Sequence, residues 1–293
     1  MENIKHFDTP AVSDEKNKVI GGMLYLVATP IGNLADISER AKKVLSEVDF
    51  VAAEDTRNSG LLLSRYGIKK PFVSYFEHNK RERGEYIVSR LKEGESCALI
   101  TDAGMPAISD PGEDIVRLCA EENITVTCIP GCCAAVTALT LSSLATGRFA
   151  FEGFVTTNKG ERKALLEKLK SEERTMIFYE APHKLRQTLE DMLKYMGDRK
   201  ITLCRELTKL NEEIIRTTLS GAVSLYEEKD PRGEYVLVVE GGIAEEKKDE
   251  YPESPEEHVA MYEAGGMAHM DAIKAAAKDR GMSKGAFYKL LIK

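Results

Sequence analysis

No apolar run in the 293 residues reaches the roughly 18 that a membrane-spanning helix needs. The longest candidate, CCAAVTALTLSSLA (132–145), is too short and is interrupted by Ser and Thr. The opening stretch, MENIKHFDTPAVSDEKNKVIGG, lacks the apolar centre of a secretion signal. Its polar composition reads as a disordered extension over 1–21, and the cytoplasm is the expected location. The cysteines, at 97, 119, 128, 132, 133 and 204, form no C-x-x-C pair and lie in no cluster with ligand spacing. That argues against structural zinc, and no metal is expected. A disulfide framework does not suit a chain of this size and location. There is no G-x-x-x-x-G-K-[ST], and no G-x-G-x-x-G opens a helix, so the usual phosphate cradles are missing. No repeat at solenoid periods is present.

The net charge of −7 weighs against a nucleic-acid partner, but its distribution matters more than the sum. AEEKKDEYPESPEE (244–257) is strongly acidic, whereas Lys274, Lys278, Arg280, Lys284, Lys289 and Lys293 near the end face only Asp271 and Asp279. The length suggests two domains of ordinary size.

From Met23 onward, strand-length runs (MLYLVA, DFVAA, FVSYF, CALIT, ITVTCI) alternate with segments of helical spacing such as Ile37, Ala41, Val44, Leu45 and Val48. Strand then helix, repeated, implies right-handed crossovers and a parallel sheet covered on both faces. This is the first domain, 22–130. A second α/β domain, 131–242, begins with a helix from Cys132 to about Leu144. It continues through FAFEGFV, TMIFYEA, ITLCREL, EEIIRTTL and EYVLVVEG, with helices near 160–170, 182–196 and 220–228, and a mixed sheet is expected. Residues 243–257 read as an acidic linker. Residues 258–293 read as a small helical unit, in which Gly281 ends one helix and Ser283 caps the next. A helix-turn-helix and a plain helical hairpin fit that pattern equally.

The polar motifs all fall at the carboxyl ends of expected strands: TPIGN (29–33), EDTR (54–57), SYFEHN (74–79), TDAGMPAISDPG (101–112) and Pro130-Gly131. In an open parallel sheet those ends share one edge, where ligands bind. Gly104 and Gly112 let backbone approach a ligand, and Pro106 and Pro111 stiffen the loop. Asp102 is placed to accept hydrogen bonds from an amine or hydroxyl. Asp110 is expected to cap the following helix, with Pro111 at its first position. Because prolines interrupt the free N–H groups, a neutral or cationic ligand with a nucleoside part suits this loop better than a triphosphate.

LYLVATPIGNLADISERA, EDTR, SYFEHN, LITDAGMPAISDPG, FEGF, FYEAPHKL and RELTKLNEE occur in that order. Together they resemble the bacterial ribosomal-RNA branch of the tetrapyrrole methylase family, over nearly all of 22–242. The terminal helical unit resembles that branch's small C-terminal domain. The resemblance implies two α/β domains with the active site in the cleft between them, S-adenosylmethionine as cofactor and a homodimer. It further implies 2′-O-methylation of a cytidine in 16S ribosomal RNA, in the decoding region of the small ribosomal subunit. Carried over residue by residue, it points to Pro30, Asp102, Ala103, Gly104, Ile108, Ser109 and Pro111 for the cofactor. From the second domain it adds Tyr179, Glu180, Ala181, Pro182 and the strand around Arg205, Glu206 and Leu207. The chain departs from the branch at Phe76 (usually His), Met105 (usually Thr), Ala107 (usually larger) and Cys132 (usually Pro).

Methyl transfer to a ribose hydroxyl needs alignment, exclusion of water and a proton acceptor. Candidates for the acceptor are Glu54, Asp55, Glu77, His78, Glu180 and His183. Arg57 is placed to hold a phosphate beside the target. Each has a plainer reading: Glu54-Asp55 as a strand-end cap paired with Arg57, and His183 as a backbone hydrogen-bonder at a strand–helix junction. Two rival functions stand beside the first. One is a tetrapyrrole methyltransferase, although the G-x-G-P-G loop of such enzymes is replaced here by ATPIGN. The other is a non-catalytic ribosome-binding protein.

Overall fold

The computed structural model describes residues 18–242 and 251–292. Most of the extension expected over 1–21, and 243–250 of the expected linker, lie outside them. The chain divides into one unit up to Gly242 and another from Ile243.

Five short apolar segments form the first sheet: β1 (Met23–Val27), β2 (Phe50–Ala53), β3 (Phe72–Ser74), β4 (Cys97–Ile100) and β5 (Thr125–Ile129). All pair in parallel, in the order β3-β2-β4-β1-β5. β2 and β4 are buried at every position, as strands covered on both faces must be. The covering helices are α1 (Glu39–Glu47), α2 (Thr56–Arg65), α3 (Lys80–Lys92) and α4 (Glu113–Glu121). In α1, Ser38 accepts the Ala41 N–H at 3.1 Å and the helical spacing turns Ala41, Val44 and Leu45 inward. Asp55 starts α2 by accepting the N–H groups of Arg57 and Asn58 at 2.8 and 3.3 Å.

The second sheet is mixed, as expected: β6 (Phe149–Phe154), β7 (Thr175–Glu180), β8 (Lys200–Arg205), β9 (Glu213–Thr218) and β10 (Tyr235–Val239), in the order β6-β7-β10-β8-β9. Only β6 and β7 are parallel. Period-two alternation divides its side chains between two cores. Met176, Phe178, Leu237 and Val239 pack with residues of α6 (Lys159–Leu169), α7 (Pro182–Met196) and α8 (Leu219–Glu228). Ile177, Val236 and Val238 pack with α5 (Ala134–Leu141), and Ile31 from the first half joins them.

Two local expectations are corrected. Asp110 does not cap α4: the N-cap is Gly112, with φ 155° and no side-chain cap. Left-handed backbone at Ala107 and Ser109 (φ 66° and 64°) turns the preceding loop, so Pro111 lies before the cap rather than at the first helical position. The helix expected from Cys132 to Leu144 spans only Ala134–Leu141, because Ser143 takes φ 61°.

Among the described residues the terminal unit holds three helices: α9 (Pro255–Ala264), α10 (His269–Asp279) and α11 (Lys284–Leu291). Val259, Ala272, Ile273, Ala276 and Phe287 form its core. The stretch read as linker thus contains the start of a helix, for which Ser254 is the cap and Pro255 the first residue. Gly281 (φ 62°) and Ser283, which accepts the Ala286 N–H, make the expected turn between α10 and α11. Arg280 is turned inward, donating to His258 Nδ1 at 3.1 Å and to the Pro252 carbonyl at 2.5 Å.

Candidate active site

The strand ends of both sheets open onto one cavity of about 540 Å³, within the range of small-molecule sites. The first domain contributes Ile31, Asp102 to Met105 and Ile108 to Asp110. The second contributes Cys133 and Ala134 at the start of α5, Phe154, Tyr179 to His183, Cys204, Leu207, Lys209 and Glu234 to Val236.

The loop after β4 is held by the loop after β1. Thr29 and Gly104 form an antiparallel bridge, with N–H···O=C distances of 2.9 and 3.1 Å. The Thr29 hydroxyl also donates to the Thr101 carbonyl at 3.1 Å. Gly104 has φ 88°, and a Cβ there would lie 3.3 Å from Ile31. Non-glycine left-handed backbone recurs at Ala107 and Ser109 on this side and at Glu206 and Thr208 opposite. Strain of this kind gathers at sites that need a fixed, unusual backbone.

The second-domain wall is set by hydrogen bonds. Tyr179 Oη accepts the Ala135 N–H at 3.2 Å, and its ring packs edge-on to Phe151 and Phe154 at 5.0 and 5.6 Å. Burial pushes its phenol up to about 12, so it stays protonated near neutrality. Glu180 is 2% exposed. Its carboxylate accepts from Thr188 Oγ1 at 2.5 Å and from the Ala181 N–H at 2.8 Å. Both oxygens are engaged, which suits a residue that fixes the turn into α7 better than one that takes a proton. Thr188→Val keeps the shape and removes the donor. Leaving a buried charged oxygen unpaired is expected to cost about 2–3 kcal/mol, read as a lowered urea midpoint with an unchanged m-value.

Lys209 bridges Glu206 and Glu234 at 2.9 and 2.8 Å. Burial works against the Glu206 charge, but hydrogen bonds from Lys209 and the Glu234 N–H outweigh it and hold the carboxyl below its ordinary value.

Asp102 lies two residues beyond β4, exposed to the cavity, with Asn58 Nδ2 at 3.4 Å as its one hydrogen-bond donor among the described residues. Asp110 also lines the cavity. Burial first, and then the negative charges of Glu54 and Asp102, push its carboxyl up to about 7. Glu54 is raised in turn by burial, Asp102 and Asp55.

Eleven of the cofactor and proton-acceptor candidates read from sequence therefore meet: Asp102, Ala103, Gly104, Ile108, Ser109, Tyr179, Glu180, Ala181, Pro182, His183 and Leu207. Pro30, Pro111 and Glu206 adjoin the lining without forming it. Arg57, Glu54 and His78 are not brought to the cavity wall. Arg57 is almost fully exposed on the first turn of α2, 3.9 Å from Asp55. Glu54 acts on Asp110 through its charge. His78 is exposed, edge-on to Phe76 at 6.3 Å. Sequence reasoning missed Lys209, which lies inside RELTKLNEE but was given no role, and Glu234, which belongs to no motif, and it gave Asp110 a capping role. Its S-D-P context resembles a cap, and only the fold turns it inward.

Two α/β sheets thus meet over one cavity at their strand ends, a fold shared with solved methyltransferase structures. The family model for Tetrapyrrole (Corrin/Porphyrin) Methylases matches residues 23–223, and the chain belongs to that family. Within it, the chain groups with the proteins named ribosomal RNA small subunit methyltransferase I. The one from Halalkalibacterium halodurans is 48% identical over 92% of this chain and 94% of that protein. The one from Synechocystis is 43% identical over 92% of this chain and 97% of that protein. Among solved structures, uroporphyrin-III C-methyltransferase from Thermus thermophilus complexed with S-adenosylhomocysteine has a similar fold. Its TM-score is 0.55 at 15% identity, over 74% of this chain and 97% of that one.

Proposed function

We propose that the chain transfers a methyl group from S-adenosylmethionine to the ribose 2′-oxygen of a cytidine in 16S ribosomal RNA, in the decoding region of the small subunit. The observation that carries this reading is the single cavity into which the Asp102 loop and the Tyr179–Pro182 turn both project. Relatives named as small-subunit ribosomal RNA methyltransferases, similar over nine-tenths of the chain, support the RNA substrate. The cytidine, its 2′-oxygen and the decoding region rest on the motif resemblance.

The residues present suit the cofactor. Gly104 leaves room against Ile31 where a side chain would intrude. Ile108, Leu207 and Val236 give apolar walls for a nucleoside base, and Asp102 offers carboxylate oxygens to hydroxyl or ammonium groups. When bound, the cofactor supplies an electrophilic methyl group on a sulfonium. The chain's own work is alignment and exclusion of water, performed by the bridged loops on one side and the Glu180-locked turn on the other. Arg57, exposed on the first turn of α2, is the cation assigned to a phosphate of the RNA. DNA would not serve, because it lacks the accepting oxygen. A cytoplasmic homodimer belongs to the same reading; Leu210, 99% exposed, is consistent with a subunit contact.

Purified chain incubated with methyl-labelled S-adenosylmethionine and either small subunits or free 16S RNA, followed by mapping of labelled nucleotides, tests this. Label on one cytidine ribose is expected. Label on an added tetrapyrrole instead, or none, would overturn it.

The terminal unit is assigned to RNA binding. Lys274, Lys278, Lys284 and Lys289 are exposed, whereas Arg280 is spent on holding His258 and the chain before α9. Truncation after Gly242 is expected to weaken RNA binding and to lower the salt slope by up to ~3, at roughly 0.7 per lost phosphate contact. An unchanged slope in filter binding would leave the unit with a structural role alone.

A further inference from the structure

Four carboxylates line the cavity: Asp102, Asp110, Glu180 and Glu234. Three are engaged. Glu180 is held by Thr188 and the Ala181 N–H, Glu234 by Lys209, and Asp102 by Asn58. Among the described residues, Asp110 alone of the four takes no hydrogen bond and no ion pair. It stands on a loop that two left-handed non-glycine residues, Ala107 and Ser109, hold in place. Gly112 is fixed against that loop as well, since a Cβ there would lie 2.9 Å from Ala107.

We propose that Asp110 accepts the proton of the acceptor hydroxyl during methyl transfer. The inference rests on the methyltransferase reading given above. The O–H bond of the hydroxyl breaks and its proton passes to the Asp110 carboxylate. The freed oxygen pair forms the bond to the methyl carbon, and the methyl–sulfur bond breaks with its electron pair remaining on sulfur. The products are a methyl ether, a neutral thioether and protonated Asp110, which returns its proton to water.

The surroundings suit the task. A general base works best when its proton affinity is matched to the operating pH. Burial, Glu54 at the end of β2 and Asp102 two residues beyond β4 bring Asp110 to about 7. From the second sheet, Tyr179 faces it as a protonated phenol. The other ionisable groups around the cavity are His183, Tyr235 and the cysteines at 133 and 204, besides Glu180 and the Lys209–Glu234 pair. Asp110 loses its proton as pH rises through about 7, so activity rises over that range and falls below it.

The test is single-turnover methylation of small-subunit RNA against pH by the full chain, with calorimetric titration of S-adenosylmethionine and S-adenosylhomocysteine. For Asp110→Asn, the expected result is a rate lowered by ~10²–10⁴-fold and loss of the acidic limb, with both affinities retained. Retained affinity also shows that the variant is folded. Glu54→Gln removes a negative neighbour and is expected to move the wild-type limb to lower pH. Three results would overturn the inference: an unchanged Asp110→Asn rate, an acidic limb that Glu54→Gln leaves in place, or weakened binding of the sulfonium but not of the thioether. The last would make Asp110 a counter-ion instead. Absence of transfer by the wild-type chain would remove the methyltransferase reading, and this inference with it.

Discussion

Asp102→Ala is expected to weaken S-adenosylmethionine binding by ~10²–10³-fold. Asp102 lies two residues beyond β4, one of the fully buried strands, and the neighbouring Thr101 carbonyl is held by the Thr29 hydroxyl, so its Cα has little freedom to move. Its carboxylate is exposed to the cavity and receives one long contact, 3.4 Å from Asn58. The remaining lone pairs are available to ligand hydroxyl or ammonium donors. Hydrogen bonds to a charged group contribute about 1.5–3 kcal/mol each. At an exposed carboxylate, in the lower part of that range, two of them amount to ~3–4 kcal/mol, or two to three decades at about 1.4 kcal/mol per decade. Calorimetry measures this directly. Asp102→Asn keeps one acceptor and the shape, and is expected to fall between wild type and Ala. Undiminished affinity in the Ala variant would remove Asp102 from the cofactor site.

Gly104→Val carries the second large effect, through the backbone. With φ at 88° the position is left-handed, and a Cβ would lie 3.3 Å from Ile31 Cγ2 and 3.7 Å from the Cys132 carbonyl oxygen. A left-handed L-residue costs roughly 1–2 kcal/mol, and β-branching adds to the crowding. Relief would require movement of the Thr29–Gly104 bridge, and with it Ile31, which lines the cavity. The melting temperature is expected to fall by about 2–8 °C. The single-turnover rate is expected to fall by ~10²-fold, since a displacement of about 1 Å suffices for that. A variant that melts lower but turns over normally would show that the loop's position is not critical to the chemistry.

The two α/β domains were legible because strand and helix periods alternate over most of Met23 to Val239, and of the strand-end motifs it is TDAGMPAISDPG, with Ile31 of TPIGN, that lines the cavity, whereas EDTR and SYFEHN do not. What sequence could not show has a common physical origin in long-range geometry. Asp110 before Pro111 looks locally like a helix cap, and only the left-handed turns at Ala107 and Ser109 rotate it to the cavity. Glu180 reads as a free carboxylate until α7 brings Thr188 against it. Lys209 and Glu234 lie 25 residues apart and become partners because β8 and β10 are neighbours. The start of α9 was hidden by composition: a stretch rich in acid and proline resembles a linker, although Ser254-Pro255 is also how a helix begins.

The order of the second sheet bears on how the molecule is made. β10 is the last strand of its sheet to be synthesised, yet it is seated between β7 and β8, and Glu234, Tyr235 and Val236 form part of the cavity wall. A growing chain emerging at its N-terminus can settle its first sheet early. The second must hold its centre open until Tyr235–Val239 arrives. Non-local pairing of this kind is slow. The binding chamber is therefore among the last features to be completed during birth on the ribosome, so a half-finished polypeptide has no competent pocket with which to sequester the nucleoside.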